Sequence, residues 1–284
     1  MRTALIQMTA SDDPQANLTA TRTLIDRAVA GGAGFVLTPE VTNIVSSNRK
    51  HQMDVLRTET DDPTLAALQN SAAHHGIWLL IGSLALRATP PETRFVNRSF
   101  LIAPDGRIVA RYDKIHLFDV QINAQETYRE SAGYAPGDQA VLAKTPFGTI
   151  GMTICYDLRF AHLYRDLAQA GAQILTVPAA FSPVTGAAHW EPLLRARAIE
   201  CGAWVLAPAQ TGHHPVTYRP DTTRPRATYG HSLAISPWGT VITQADTAPG
   251  VHFVTLDLDA VDQARDKLPT LHHDRSYRAP LLHE

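Results

Sequence analysis

Four times along this chain a helix-like segment stops at glycine or another small residue, and an apolar, β-rich run follows. Leu18 to Ala30 stops at "GGAG" before "FVLTPE", and Leu65 to His75 stops at Gly76 before "IWLLIGSLAL". Phe160 to Ala170, Gly171 and "AQILTVPAAF" repeat the pattern, as do Trp190 to Glu200, Gly202 and "AWVLAPAQ". In the first segment Leu18, Ile25, Ala28 and Val29 share one helical face. Glycine at the stops suits the left-handed residue that ends many helices. Strands alternating with helices predict an α/β fold in which helices cover the sheets. Two hairpin signals, "FLIAPDGRIVARY" turning at Asp105-Gly106 and "LAISPWGTVITQA" turning at Trp238-Gly239, add antiparallel strands, so mixed sheets are expected. No linker, charge block or low-complexity stretch divides the chain. One domain over residues 1–284 is expected, with an irregular C-terminal tail from about residue 266.

Composition narrows the functional classes. A formal charge of −2 gives no bulk electrostatic case for a nucleic-acid partner. Two cysteines are too few for a disulfide framework, and "MRTALIQMTASDD" reads as a first strand, so a reducing cytoplasm is expected. The uncharged stretch Leu167 to Trp190 contains Pro178, Pro183 and two glycines, which argues against a membrane span.

Chemistry gathers at strand ends, where α/β folds hold their active groups. Cys155 ends the apolar run Thr149 to Ile154 at the entrance to a helix-like segment. It is a candidate nucleophile, although free cysteine is also a common packing residue. Glu40 closes "GFVLTPE"; Pro39 keeps the preceding residue extended, and a carboxylate there suits a general base or a solvated loop. Lys114 follows "RIVARYD", where it either reaches water or supports an oxyanion. Glu130 precedes a Gly/Pro-rich loop. The thirteen histidines include three adjacent pairs but no H-E-x-x-H, and no paired C-x-x-C occurs, so no metal is expected. "GHSLA", around Ser232, approaches the G-x-S-x-G elbow of serine hydrolases but leads into a strand rather than the helix that elbow needs. "AGGAG" lacks the lysine of a phosphate loop and reads as a helix stop.

Taken in order, "LTPE", "YDKIHLFDV", "ESAGYAPG" and "GMTICYDLRF" resemble the glutamate, lysine, second-glutamate and cysteine motifs of the nitrilase, or carbon–nitrogen hydrolase, superfamily. "PAAFSPVTGAAHWEPLLRARAIE" and "YGHSLAISPWGTV" match further family blocks, so the resemblance covers most of the chain. It implies a four-layer αββα sandwich of mixed sheets, no cofactor and a homodimer or larger assembly. It also implies hydrolysis of a small amide by Cys155, with Glu40 as base, Lys114 and the Tyr156 N–H at the oxyanion, and Glu130 in a positioning role. "ICYDLRF", "HWEPLLRARAIE" and "TYGHSLAISPWG" look most like the deaminated glutathione amidase and omega-amidase branches. Both act on acids, so Arg159, four residues after Cys155, is a candidate carboxylate clamp. Phe181 and Thr185, expected on the strand and loop after the third helix, are candidate pocket lining. Two features depart from the branch: Asp113 stands where many relatives are basic, and "QINAQETYR" carries no assignable motif. An N-carbamoyl hydrolase and a catalytically silent binding subunit are the alternatives.

Overall fold

The computed structural model describes residues 1–122, 127–219 and 225–282. Part of the "QINAQETYR" segment and the last two residues of the tail lie outside the described residues.

The first half runs β1 (Arg2–Gln7), α1 (Pro14–Ala30), β2 (Phe35–Leu37), α2 (Arg49–Val55), α3 (Pro63–His75), β3 (Trp78–Arg87), β4 (Phe95–Ile102) and β5 (Ile108–Asp113). A ribbon of β6 (Asp119–Gln121) and β7 (Thr127–Arg129) leads into the second half. There follow β8 (Val141–Thr145), β9 (Gly148–Met152), α4 (Ala161–Gln169), β10 (Ile174–Thr176), α5 (Pro183–Cys201) and β11 (Trp204–Ala207). A second ribbon, β12 (Thr211–His213) with β13 (Ala227–Tyr229), precedes β14 (Leu233–Ile235), β15 (Val241–Gln244), β16 (Gly250–Thr255) and α6 (Asp259–Lys267).

The strands pair into two six-stranded mixed sheets built on one plan. Their orders are β16-β1-β2-β3-β4-β5 and β8-β9-β10-β11-β14-β15. In each, three parallel strands carry one antiparallel neighbour on one side and an antiparallel pair on the other. The four helix–stop–strand recurrences in the sequence are therefore two copies of one β–α–β–α–β unit, each continued by one of the two hairpins.

The period of two along each strand sets the layers. Leu5, Phe35, Leu37 and Leu80 point from the first sheet into a core shared with Ile150, Met152 and Ile174 of the second. Their neighbours Ala4, Ile6, Val36, Leu79 and Ile81 point the other way, onto Leu18, Ile25, Leu65 and Leu68 of α1 and α3. Leu163, Leu167, Leu194 and Ala198 of α4 and α5 cover the second sheet. The result is the expected four-layer αββα sandwich.

Helix ends follow local chemistry. Asp13 accepts from the N–H groups of Gln15 and Ala16, with Pro14 opening α1; Asp62 accepts from the N–H of Leu65, with Pro63 opening α3. Gly76 and Gly202 close α3 and α5 in the left-handed region, at φ of 64° and 51°. After α1 and α4 the left-handed glycine comes one residue beyond the cap, at Gly32 and Gly171. Helix α5 begins at Pro183, earlier than the expected Trp190, because proline fits the first helical position. That start places Thr185 in the first turn of a helix and not on a loop. The tail is held to α4 as far as Asp274, which pairs with Arg165; residues 275–282 are exposed.

His214, just after β12, ties this half to the first: its Nδ1 lies 2.7 Å from the Ala10 carbonyl and its Nε2 2.8 Å from the Thr228 hydroxyl. Burial pulls its pKa down from 6.5 to about 4. The unfolded chain takes that proton near 6.5 and the folded chain only near 4, so acidification through this window favours unfolding. At about 1.4 kcal/mol per pH unit, the expected loss is about 3 kcal/mol. Thermal denaturation between pH 7 and 4.5 should show it, and His214→Asn should flatten the curve; an unaltered slope in the variant would exclude His214 as its source.

Candidate active site

The chain leaving β2, β5, β9 and β10 converges at the seam between the two sheets. After β2, Thr38 and Pro39 lead to Glu40, and a tight turn follows with Val41 at φ 47°. Positive φ is costly for a β-branched residue, about 1–3 kcal/mol. Ser83 offsets this, its Oγ accepting from the Val41 N–H at 2.8 Å and its carbonyl from the Thr42 N–H at 2.9 Å. Gly82, next to it, leaves no room for a side chain. A Cβ there would sit 2.0 Å from the Thr38 carbonyl oxygen, 2.5 Å from that of Pro39 and 2.6 Å from Pro178 Cβ. Gly82→Ala must push the Glu40 arm away from the Pro178 arm. We expect about 1–3 kcal/mol of lost stability and about 100-fold lower kcat, measured by thermal melts and steady-state kinetics. Wild-type kcat in that variant would show that the close approach does not aim Glu40.

Cys155 opens a short 3₁₀ turn, Cys155–Arg159, and also sits at φ 47°. Its N–H is fixed to the Pro178 carbonyl at 2.9 Å. Asp157, fully buried, holds the turn from below. It accepts from the N–H of Ile154 (2.8 Å), the N–H and Nδ1 of His116 (3.0 and 2.7 Å) and the Tyr112 hydroxyl (2.7 Å). One carboxylate thus locks the Cys155 turn to the chain on either side of Lys114.

Lys114, just past β5, is 3% exposed. Its Nζ donates to Glu40 Oε1 at 2.9 Å and to Glu130 Oε1 and Oε2 at 3.0 and 2.8 Å. Glu130 also accepts from the Phe118 N–H at 2.6 Å. Asn97, on β4, donates its amide to Glu40 Oε1 at 2.9 Å. Glu40 Oε2 accepts from the Ala180 N–H at 2.8 Å, and the Glu40 charge acts directly on the Cys155 thiol. Asp113, the departure in the lysine motif, faces away from the site in a bidentate pair with Arg98.

Charges in this cluster are settled by their neighbours. Burial works to raise the Glu40 pKa, but the Lys114 ammonium outweighs it and holds the carboxyl below its ordinary value. Burial works against the Lys114 charge, yet Glu130 and then Glu40 hold its pKa well above the usual. Burial and then the Glu40 charge push the Cys155 thiol well up. The resting site is therefore a thiol beside a carboxylate beside an ammonium. Such a set can deprotonate the thiol as it attacks and can stabilise negative charge on an oxygen placed near Lys114.

Above it lies a cavity of about 360 Å³. Glu40, Lys114, Glu130, Cys155, Tyr156, Phe181 and Thr185, all singled out in the sequence, line this one space. Among the described residues Thr185 Oγ1, buried there, has no hydrogen-bond partner. Arg159 lies behind the wall, its guanidinium 5.9 Å from the Tyr156 ring and 5.3 Å from that of Phe181, with Nη1 3.3 Å from His189 Nδ1. Sequence reading missed Asn97, Asp157, Gly82, Tyr128 and Arg226. A polar Asn97 in the middle of a buried strand was the one local signal.

Ser232 is not a nucleophile elbow. Its buried Oγ donates to Gln7 Oε1 and accepts from the Ala209 N–H, both at 2.9 Å, so it ties β14 to β1. Among the described residues no group of three or more His, Cys, Asp or Glu is placed to hold a metal ion, and no helix is long and apolar enough to cross a membrane.

A converging Glu–Lys–Cys cluster at the seam of an αββα sandwich defines an amide-hydrolysing class, and comparison with known proteins agrees. The carbon–nitrogen hydrolase family pattern matches residues 2–266, and the chain belongs to that family. It is an amidase-type enzyme of the nitrilase superfamily. Deaminated glutathione amidase from Yersinia enterocolitica is 37% identical over 273 residues, spanning 96% of this chain and 92% of that protein. The crystal structure of the Caenorhabditis elegans NitFhit protein superposes with a TM-score of 0.88 at 36% identity; the match covers 96% of this chain and 65% of that longer one. A variant of the amidase from Nesterenkonia sp. AN1, with acrylamide added at its active-site cysteine, matches with a TM-score of 0.75 at 27% identity, over 95% of this chain and 98% of that one.

Proposed function

We propose that the enzyme cleaves the amide bond of a small carboxylate-bearing substrate through a thioester on Cys155, and that its substrate is deaminated glutathione or a close analogue. The observation that carries this reading is Glu40, which bonds to Lys114 and to the Ala180 N–H and lines one cavity with the Cys155 thiol. Cys155 Sγ attacks the carbonyl carbon as Glu40 takes the thiol proton. The oxyanion is met by Lys114 and by the Tyr156 N–H, which lies in the first turn of its 3₁₀ helix, where amides lack an intrahelical partner. Glu40 returns the proton to the leaving nitrogen as the C–N bond breaks, then activates the water that hydrolyses the thioester. Glu130 positions Lys114. Phe181, Tyr156 and the unpartnered Thr185 hydroxyl face the acyl group, and Arg159 acts through the two rings it stacks on.

We infer a homodimer, formed through α5, α6 and the tail, where Ile199 and Leu268 are exposed beside Trp238 of the β14–β15 turn. A nucleophile that must stay reduced suits the cytoplasm.

The test is hydrolysis by purified protein of deaminated glutathione, 2-oxoglutaramate, 2-oxosuccinamate, an N-carbamoyl amino acid and a simple nitrile. Cys155-dependent turnover highest on deaminated glutathione supports the reading; Cys155-dependent preference for another amide keeps the mechanism and replaces the substrate. Absence of Cys155-dependent turnover on the whole panel removes the proposal.

A further inference from the structure

The chamber above Cys155 adjoins a second, of about 380 Å³, and the two share Ser47, Thr127, Tyr128 and Arg226 in their walls. Beyond that partition the second chamber is bounded by Pro183, Val184 and His213 among others. Arg226 stands in the partition. Its Nη2 donates to the Ala180 carbonyl at 2.9 Å, and its guanidinium lies 5.8 Å from the centre of the Tyr128 ring. Among the described residues no carboxylate lies within 4.0 Å of it. A guanidinium has five N–H groups in a planar fork, and a single backbone carbonyl engages one of them. The rest match a carboxylate.

The side of the substrate that reaches Arg226 follows from Glu40. Oε1 of Glu40 is taken by Lys114 and Asn97, whereas Oε2 receives only one backbone donor, from Ala180. A leaving nitrogen that collects its proton from Glu40 must come to Oε2, on the Ala180 side. Whatever that nitrogen carries then extends past Ala180 towards Arg226 and the second chamber. The acyl chain stays with Cys155 between Tyr156 and Phe181.

From this we infer that the second chamber is a subsite for the leaving amine and that Arg226 binds a carboxylate on it. The favoured substrates are then amides of amino acids or short peptides with a free C-terminal carboxylate, ahead of primary amides that release ammonia. The inference rests on Glu40 as proton donor to the leaving nitrogen.

One acyl group with three leaving groups tests it: 2-oxoglutaric acid γ-amides of ammonia, of cysteinylglycine and of cysteinylglycinamide. In the wild type, kcat/KM for the dipeptide acid should exceed that for its carboxamide by about tenfold or more, as a charge-assisted pair warrants. Arg226→Gln should compress that ratio to within about threefold, and Arg226→Lys should keep part of it. Loss of support for Ala180 would slow all three substrates alike and so cancels in the ratio. A wild-type ratio near one, or an undiminished ratio in Arg226→Gln, overturns the proposal. If no member of the series is hydrolysed, the functional reading fails, and the subsite is read by calorimetry on Cys155→Ala protein. Cysteinylglycine should then bind about tenfold tighter than cysteinylglycinamide, a difference lost on adding Arg226→Gln; equal affinities overturn the subsite by itself.

Discussion

Cys155→Ala is expected to lower amide turnover by about 10⁴-fold or more while leaving the melting temperature near that of the wild type. The alanine loses the sulfur but keeps the turn, because Asp157 and Pro178 hold that turn through backbone groups. A small electrophile bearing a carboxamide should add once per chain, at Cys155, as read by peptide mass spectrometry. Cys201 should stay unmodified, since it is 1% exposed, its thiol donates to the Tyr164 carbonyl and burial pushes its pKa up to about 12. Because Lys114 keeps the Glu40 carboxyl below its ordinary value, the base stays ionised well into the acid range, and kcat/KM should show no acid limb near neutrality. An adduct on Cys201, or activity that survives Cys155→Ala, would move the chemistry elsewhere.

The largest effect on stability is expected from Lys114→Met. In the wild type the ammonium lies between two carboxylates, one of them almost wholly buried. Taking it away leaves Glu40 and Glu130 facing each other without the ammonium that bridges them, which costs about 3–5 kcal/mol, or about 10 °C in a chain of this size. The pH dependence should also change sign. With Lys114 present, Glu40 binds its proton less readily than an unfolded glutamate, so its contribution to stability is present above the ordinary carboxylate range and fades as pH falls through its lowered folded pKa. Without Lys114, burial and the second carboxylate push the pKa up, and the variant should regain stability on acidification from pH 8 towards 5. A second substitution, Glu130→Gln, should restore part of the melting temperature and none of the turnover. Melting at the wild-type temperature in Lys114→Met at pH 8 would show that the carboxylates find other partners.

The layers of this fold were legible because they are periodic. Unbroken apolar runs such as "FVL" and "IWLLIGSLAL" state that both faces of a strand are covered, and the stops at Gly76 and Gly202 mark the helix ends. Glu40, Lys114 and Cys155 were legible because each closes a strand, and the ordered motifs around them are specific to one superfamily. What periodicity does not tell is which group lies across a gap. Gly82 reads as an ordinary residue in a strand until Thr38 and Pro178 come up against it from two different sheets. Asp157 reads as one more acid in "YDLR", yet it draws four donors from three places in the chain. Arg226 sits in the "RPRATYG" run, far in sequence from every other group in the cavity, and only the second ribbon carries it to the Ala180 peptide. Arg159 was placed at the right turn, but whether an arginine crosses a wall or stacks behind it depends on Tyr156 and Phe181.

The Glu40–Cys155 pairing has a consequence for how the enzyme survives oxidants. Peroxide reacts with thiolates, and a cysteine kept permanently ionised is steadily lost to sulfenic and sulfinic acids. Here the sulfur rests protonated, its pKa held up by burial and by the negative charge beside it. In the proposed mechanism the proton leaves only as a carbonyl arrives to accept the sulfur. On that mechanism nucleophilicity is supplied on demand by the substrate, and between turnovers a sulfur that rests protonated is a poor target for oxidation.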